Sequence, residues 1–368
     1  MGMLSSSGKK LDENCDGLLT SYISANSTKK GFGNARGIRN LRDRLIETQS
    51  LRLSQQMSTG VQLTRADFQM ISQEDLCSLT GDVKEEKNLD YWLEQLRGLT
   101  GLEAVKQQVE SKVYTMLARQ SMAQQKIGKQ ADFGTLHMVF KGNAGTGKTT
   151  VARILAGIYN ALGLLPLADV FVECGRSDLV GQYQGHTAQK VKDVVNRALG
   201  GVLFVDEAYS LCRDANDSFG REAIDALVAD MENHRKELMV IFAGYSDDMD
   251  HFFQQNQGLA SRVPTTLLFE DYTLDELCQI FKGIMQGKGF QLTQGGVQAA
   301  REALARASIQ PDFGNARGVR NLADRVTERH TARLGARLSQ GSTPSHEEYL
   351  TITEQEFSDA SREGEDAI

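Results

Sequence analysis

The stretch HMVFKGNAGTGKTTVARILAGIYNALG, residues 137–163, constrains the fold of this chain more than any other. MVF reads as a buried strand, a glycine-rich turn follows, and a helical pattern follows that. Gly142, Gly145 and Gly147 let the backbone curl and turn its N–H groups inward, the geometry that cradles phosphate. The predicted phosphate-binding residues are Gly142, Asn143, Ala144, Gly145, Thr146, Gly147, Lys148, Thr149 and Thr150. Lys148 is spaced to reach the β- and γ-phosphates of a nucleoside triphosphate, and the Thr149 hydroxyl to ligate Mg2+. The helix that begins there points its positive end at the anion. A purely structural glycine turn is the bland alternative, and the strand–loop–helix context argues against it.

About 60 residues further on, GGVLFVDEAYSL ends an apolar run on two acids. Asp206 is the second residue predicted to hold Mg2+, and Glu207 is predicted to orient and polarise the attacking water. Phosphoryl transfer needs in-line geometry and positive charge on the developing equatorial oxygens more than it needs covalent help. Lys148 supplies part of that charge. Arg262, in GLASRVPTTLLFED, is predicted to supply more as an arginine finger reaching a neighbouring subunit. Arg317, in FGNARGVRNL, is predicted to touch the phosphates of its own subunit. Arg320, one helical turn on, reads as a structural arginine.

The ten residues FGNARGIRNL from Phe32 are nearly repeated as FGNARGVRNL from Phe313, an offset of 281 residues. The match runs without a gap over residues 32–76 and 313–357, where MISQEDL at 70–76 stands against TITEQEF at 351–357. The offset is far longer than a solenoid period and has the length of a whole domain pair. Only one phosphate-loop signature is present, so Arg36 has no phosphate to sense within its own segment. Two accounts follow. The chain is a piece of a longer tandem protein, or the first copy is a regulatory appendage. MGMLSS formally fits a myristoylation pattern at Gly2 and Ser6, which weighs little under the first account.

Composition narrows the function classes. A chain of 368 residues, 40% hydrophobic, has room for two or three packed domains. Net charge −7 and pI about 5.5 argue against non-specific nucleic-acid binding. The five cysteines, Cys15, Cys77, Cys174, Cys212 and Cys278, form no C-x-x-C pair, which points to a reducing compartment. No apolar run approaches the ~20 residues of a membrane span, so no membrane role is expected.

Taken in order, GNAGTGKTTVARILAGI, RSDLVGQYQGHTAQK, GGVLFVDEAYSL, FGREAIDALVADMENHR, VIFAGYSDDM, GLASRV and FGNARGVRNL resemble the CbbX/CfxQ family of AAA+ ATPases. That family includes the red-type Rubisco activase and relatives of stage V sporulation protein K. The resemblance covers roughly residues 95–357, plus the copy at 32–76. It implies a P-loop α/β fold, a five-stranded parallel sheet in an αβα sandwich followed by an all-α lid, assembled as a hexameric ring. The strands read independently are HMVF, VFVEC, VLFVD, LMVIFA and TTLLFE with helices between them, a parallel-sheet pattern. Ile224, Leu227, Val228 and Met231 recur at i, i+3, i+4 and i+7 and predict one buried helix face.

The resemblance also assigns roles. ATP and Mg2+ are the implied cofactors. Tyr183 becomes the pore-loop aromatic that grips a threaded protein client, and Rubisco is the client the family name raises. A tyrosine packed locally is the alternative, and His186 reads as a helix-start residue. GLTGLEAVKQQV from Gly98 is the lead-in that covers the adenine. Tyr245 or Ser246 stands where a sensor of the attacking water is expected. The expected domains are an orphan lid-like segment 1–80, a linker 81–94, the ATPase domain 95–270, the lid 271–357 and a disordered acidic tail 358–368. Cytoplasm or plastid stroma are the implied compartments. Two readings compete with a client remodeller: a nucleotide-gated assembly module that threads nothing, and a dedicated Rubisco activase.

Overall fold

The runs VLFV and MVIFAG, apolar or small at every position, become strands buried end to end. In the computed structural model they are the middle of a five-stranded sheet: β1 (Met138–Gly142), β2 (Phe171–Cys174), β3 (Val202–Val205), β4 (Met239–Gly244) and β5 (Thr265–Phe269). All neighbours run parallel, in the order β2-β3-β4-β1-β5. The structure describes residues 9–12, 34–58, 64–72, 75, 87–125, 134–167, 170–181, 183, 185–212 and 217–358. They fall into two units, Met1–Lys87 and Asn88–Ile368.

Strand side chains alternate between faces, so the sheet feeds two cores. Met138, Phe140, Phe204 and Ile241 enter one, with Leu96, Val109, Val113, Leu155 and Tyr159. These last come from α1 (Leu89–Arg97), α2 (Glu103–Gln124) and α3 (Lys148–Ala161). Val139, Leu203, Val205, Val240 and Phe242 enter the other, with Val191, Val194, Ile224, Leu227, Met231 and Phe252. Those helices are α4 (His186–Ala198), α5 (Ser218–Asn233) and α6 (Ser246–Gln255). The sandwich predicted from the alternation of strand and helix patterns is the one observed. Ile224, Leu227 and Met231 are buried as predicted, and Val228 packs partly against the same core.

His137 immediately precedes β1 and is 2% exposed. Its Nδ1 accepts the N–H of Val240 at 3.1 Å, and burial pushes its pKa down to about 4.

The linker expected over residues 81–94 is too long at its far end. Leu89–Arg97 is helix, and Leu93 and Leu96 are buried in the first core. The charged composition before it hid two leucines spaced to lie on one helix face.

The lid follows β5. Thr273 caps α7 (Leu274–Gly287) in a reciprocal box with Glu276. Then come α8 (Gln294–Ser308), α9 (Ala316–Ser339), α10 (His346–Leu350) and α11 (Gln355–Ser358). Leu277, Phe281, Leu304, Leu322, Val326 and Ile352 are among the side chains of its core. The expected all-α lid carries one exception, a two-residue parallel pairing of Gln291–Leu292 with Thr351–Ile352. Glu356 anchors the lid from within. It accepts from Thr353 N and Oγ1 at 2.9 and 2.6 Å and from Arg333 Nε at 2.8 Å, and it faces His330 Nδ1 at 3.1 Å. Burial pushes its carboxyl up, but the hydrogen bonds from Thr353, His330 and Arg333 prevail and hold it at about 2.

The first unit repeats this anchor in its own residues. Lys10–Leu11 pairs in parallel with Met70–Ile71. Gln49, on the helix Asn34–Ser58, donates to the Met70 and Phe68 carbonyls at 2.8 and 3.2 Å. Buried Asp75 accepts from Arg52 Nε at 2.7 Å and from Ser72 N at 2.9 Å. Gln49, Arg52, Phe68, Ser72 and Asp75 each stand 281 positions before His330, Arg333, Tyr349, Thr353 and Glu356. The side chain of Arg36, the residues around Gly2 and the tail beyond Ser358 lie outside the described residues.

Candidate active site

β1 ends in the loop that the glycines predict. Gly142, Gly145 and Gly147 adopt φ of 150, 71 and 94°, and α3 starts at Lys148. The Lys148 ammonium donates to the carbonyls of Gly142 and Asn143, both at 2.7 Å. Burial pushes its pKa below the ordinary lysine range, Asp206 opposes that, and Arg317 adds to it. Asp206 and Glu207 leave the end of β3 exposed. Glu207 has φ 46°, a left-handed backbone that costs a non-glycine residue on the order of 1–3 kcal/mol. The Glu207 N–H donates to Asp206 Oδ1 at 3.0 Å.

A cleft of about 300 Å³ brings the pieces together. Ala144, Gly145, Gly147, Lys148, Thr149 and Thr150 line one side, Asp206 and Glu207 another, and Arg317 and Arg320 of the lid a third. Gly244 and Tyr245, at the end of β4, complete it. Of the two sensor candidates, Tyr245 lines the cleft. Its ring lies 6.1 Å from that of Tyr209.

Other predicted residues lie elsewhere. Gly142 contributes its carbonyl to Lys148, and Thr146 is buried, its hydroxyl donating to Asn143 O at 2.9 Å. The Asn143 side chain turns from the cleft and donates to both oxygens of Asp271 at 3.0 and 2.9 Å. Arg262 precedes β5, donates from Nη1 to Gly258 O at 3.0 Å, and holds Glu232 at 3.4 Å through Nε. Tyr183 is 67% exposed, edge-on to His186 at 5.5 Å. His186 starts α4, as read from the sequence.

Sequence reasoning missed two features. Arg320, read as structural, lines the cleft beside Arg317. Its i+3 spacing put it on the same helix face, a usable signal. The second is the junction of lid and loop. Ala316 N–H donates to Gly145 O at 3.2 Å, and the Asn315 side chain bonds Asp271 and Ala144 O at 2.8 and 3.3 Å.

The cleft suits a hard divalent cation. Among the described residues no cluster of three or more His, Cys, Asp or Glu could hold a metal ion by itself. Mg2+ does not need one, since it keeps several waters and takes one or two protein oxygens beside substrate phosphates. The Thr149 hydroxyl and the Asp206 carboxylate are donors of that kind in the same cleft.

A phosphate loop at the mouth of β1, an acid pair at the end of β3 and a helical lid with two arginines facing both define a nucleotide-hydrolysing AAA module. The sequence matches the ATPase family associated with various cellular activities (AAA) over residues 138–270. It matches the AAA lid domain twice, over residues 1–86 and 273–367. It is 45% identical to protein CbbX of Cereibacter sphaeroides, over 66% of this chain and 78% of that protein. It is 40% identical to stage V sporulation protein K of Bacillus subtilis, over 72% and 81%. It is 44% identical to the chloroplastic ribulose bisphosphate carboxylase/oxygenase activase of Cyanidioschyzon merolae, over 65% and 81%. The AAA domain of FIGL-1 shares the fold, with TM-score 0.51 and 17% identity over 76% of this chain and 84% of that one. The chain belongs to the CbbX/CfxQ family of AAA+ ATPases and is an ATP-hydrolysing enzyme.

Proposed function

We propose that this chain turns ATP hydrolysis into work on a protein client, as one subunit of a ring. The observation that carries the reading is the convergence of Lys148, Thr149, Asp206, Glu207 and Arg317 on one cleft. Lys148 gives up its two loop carbonyls and takes the β- and γ-phosphates instead. Thr149 and Asp206 hold Mg2+, which neutralises phosphate charge when bound. Glu207, next to Asp206 in the cleft, orients the attacking water. Arg317 and Arg320 answer charge on the transferring phosphoryl group from the lid of the same chain.

Arg262 completes the site in a neighbouring copy. Its bond to the Gly258 carbonyl is exposed, while its buried Nε lies 3.4 Å from Glu232 without a hydrogen-bond partner, and a charged phosphate competes well for such a guanidinium. A hexamer is the ring the fold suggests. Tyr183 is an exposed aromatic three residues before α4, suited to gripping a polypeptide without sequence preference, because it offers apolar area at low entropic cost. The client class is therefore protein. One relative is named for Rubisco and another for sporulation, so Rubisco is a candidate among others. Residues 1–80 are read as a second lid-like segment, supported by the lid match over residues 1–86 and by the shared anchor. Cytoplasm or plastid stroma suits the free thiols at Cys174 and Cys278, and no described helix is long and apolar enough to cross a membrane.

Glu207→Gln tests the core of this reading. It keeps the side chain's shape and removes its charge. ATP affinity is expected to stay near wild type while turnover falls about 10²–10⁴-fold. Wild-type turnover would remove Glu207 from the chemistry.

A further inference from the structure

The roles assigned above leave one polar knot unused. Asn315 is 8% exposed and stands immediately before α9. Its Nδ2 donates to Asp271 Oδ1 at 2.8 Å and to the Ala144 carbonyl at 3.3 Å. Its Oδ1 accepts the N–H of Tyr272 at 3.1 Å. Asp271 also takes the Asn143 amide, and the Tyr272 hydroxyl donates to Thr146 O at 3.3 Å. Phosphate loop, hinge after β5 and entrance to α9 are thus tied through one amide and one carboxylate.

The residue types are those the position demands. An amide side chain has two N–H bonds to give, here to Asp271 and the Ala144 carbonyl, while its oxygen accepts a backbone N–H; a hydroxyl has only one proton to give. The Asn315 backbone sits at φ 51°, ψ −126°, and asparagine tolerates positive φ better than most side chains. Glycine would suit the backbone and lose every side-chain bond. Aspartate would set a carboxylate against Asp271.

We infer that Asn315 and Asp271 are positioning residues for nucleotide capture. Through Asn143 and the Ala144 carbonyl they hold the phosphate loop in register with α9. Arg317, two residues beyond Asn315, is thereby delivered to the cleft together with the loop's binding conformation. The inference rests on the reading of Arg317 as a phosphate-facing residue.

The test measures the Kd of a fluorescent ADP analogue with Mg2+, the KM and kcat for ATP, and the melting temperature. Asn315→Ala and Asp271→Ala each remove more than one hydrogen bond and are each expected to weaken binding and raise KM by about tenfold or more. Saturated kcat should move much less, because neither side chain touches the reacting atoms. The exchanged pair, Asp271→Asn with Asn315→Asp, rebuilds the amide–carboxylate bond with its polarity reversed but not the donation to the Ala144 carbonyl, and should recover part of the affinity lost in the singles. Single variants that bind as wild type does, or an exchanged pair that folds and binds no better than the singles, would overturn the inference. Arg317→Ala is measured alongside. If it keeps full turnover, the reading of Arg317 fails. If it is inactive while the Asn315 and Asp271 variants bind normally, the positioning role alone fails.

Discussion

The amide of Ala316 donates to the carbonyl of Gly145 at 3.2 Å, so the 24-residue helix α9 is hydrogen-bonded by its first residue to the phosphate loop. The two positions are far apart in sequence and on different layers of the fold. Their contact sets how close the lid arginines come to the loop, because Arg317 is the next residue along the helix.

Gly145→Ala is the sharpest probe of that closeness. Gly145 has φ 71°, and an added Cβ would overlap the Gly314 carbonyl oxygen. Both the backbone and the lid must shift. Nucleotide affinity is expected to fall about tenfold or more, with Arg317 displaced from the cleft. Isothermal titration with ADP and Mg2+ measures it, and wild-type affinity would mean that the lid does not seat on the loop in solution.

Tyr183→Ala separates a motor from an assembly module. Tyr183 is exposed and lines no part of the nucleotide cleft. ATP hydrolysis should stay within about twofold of wild type, as for surface substitutions in general. Client remodelling should be lost, and Tyr183→Phe should keep it. Rubisco is the first client to try. Remodelling by the alanine variant at the wild-type rate would leave the grip to other residues.

His137 gives the ATPase core an acid sensitivity. Its folded pKa is depressed from 6.5 to about 4, chiefly by burial. Between those values the unfolded chain binds a proton that the folded one does not, so the contribution is present above pH 6.5 and is lost as pH falls toward 4. The slope from this one group is about 1.4 kcal/mol per pH unit. Urea midpoints at pH 7 and pH 5 should differ less in His137→Gln, which keeps an acceptor for Val240 N–H. Equal pH dependence in both proteins would exclude His137 as the source.

Asp75 has no exposure and is paired with Arg52. Arg52→Ala leaves a buried carboxylate without its cation, a loss of about 3–5 kcal/mol. Hydrogen exchange along residues 45–58 should accelerate accordingly. Unchanged protection would mean that the polar anchor does not hold this unit together.

The sheet is legible in the sequence because each strand is a short apolar run bounded by a turn or an acid, with a helical pattern after it. MVF, VLFV and MVIFA are of this kind. The phosphate loop and the acid pair are legible because each signature is contiguous. Asn315 and Asp271 are not, since they stand 44 residues apart and Asn143 another 128 before Asp271. Neither carries a local pattern that predicts its partner. Arg320 was within reach through its helical spacing from Arg317, but capping or surface pairing explains an exposed arginine equally well from sequence alone. The first unit became legible only through its offset of 281 residues from the second copy. Its helix Asn34–Ser58 is too polar to announce itself as half of a core.

The rate of Mg·ATP hydrolysis per chain, followed against protein concentration, tests the central claim most directly. If Arg262 completes the site of a neighbouring copy, the rate per chain rises with concentration and saturates as rings form. Arg262→Ala then lowers the plateau by about 10³-fold or more. A rate that is constant over the same range, and indifferent to Arg262→Ala, would contradict a site shared between subunits.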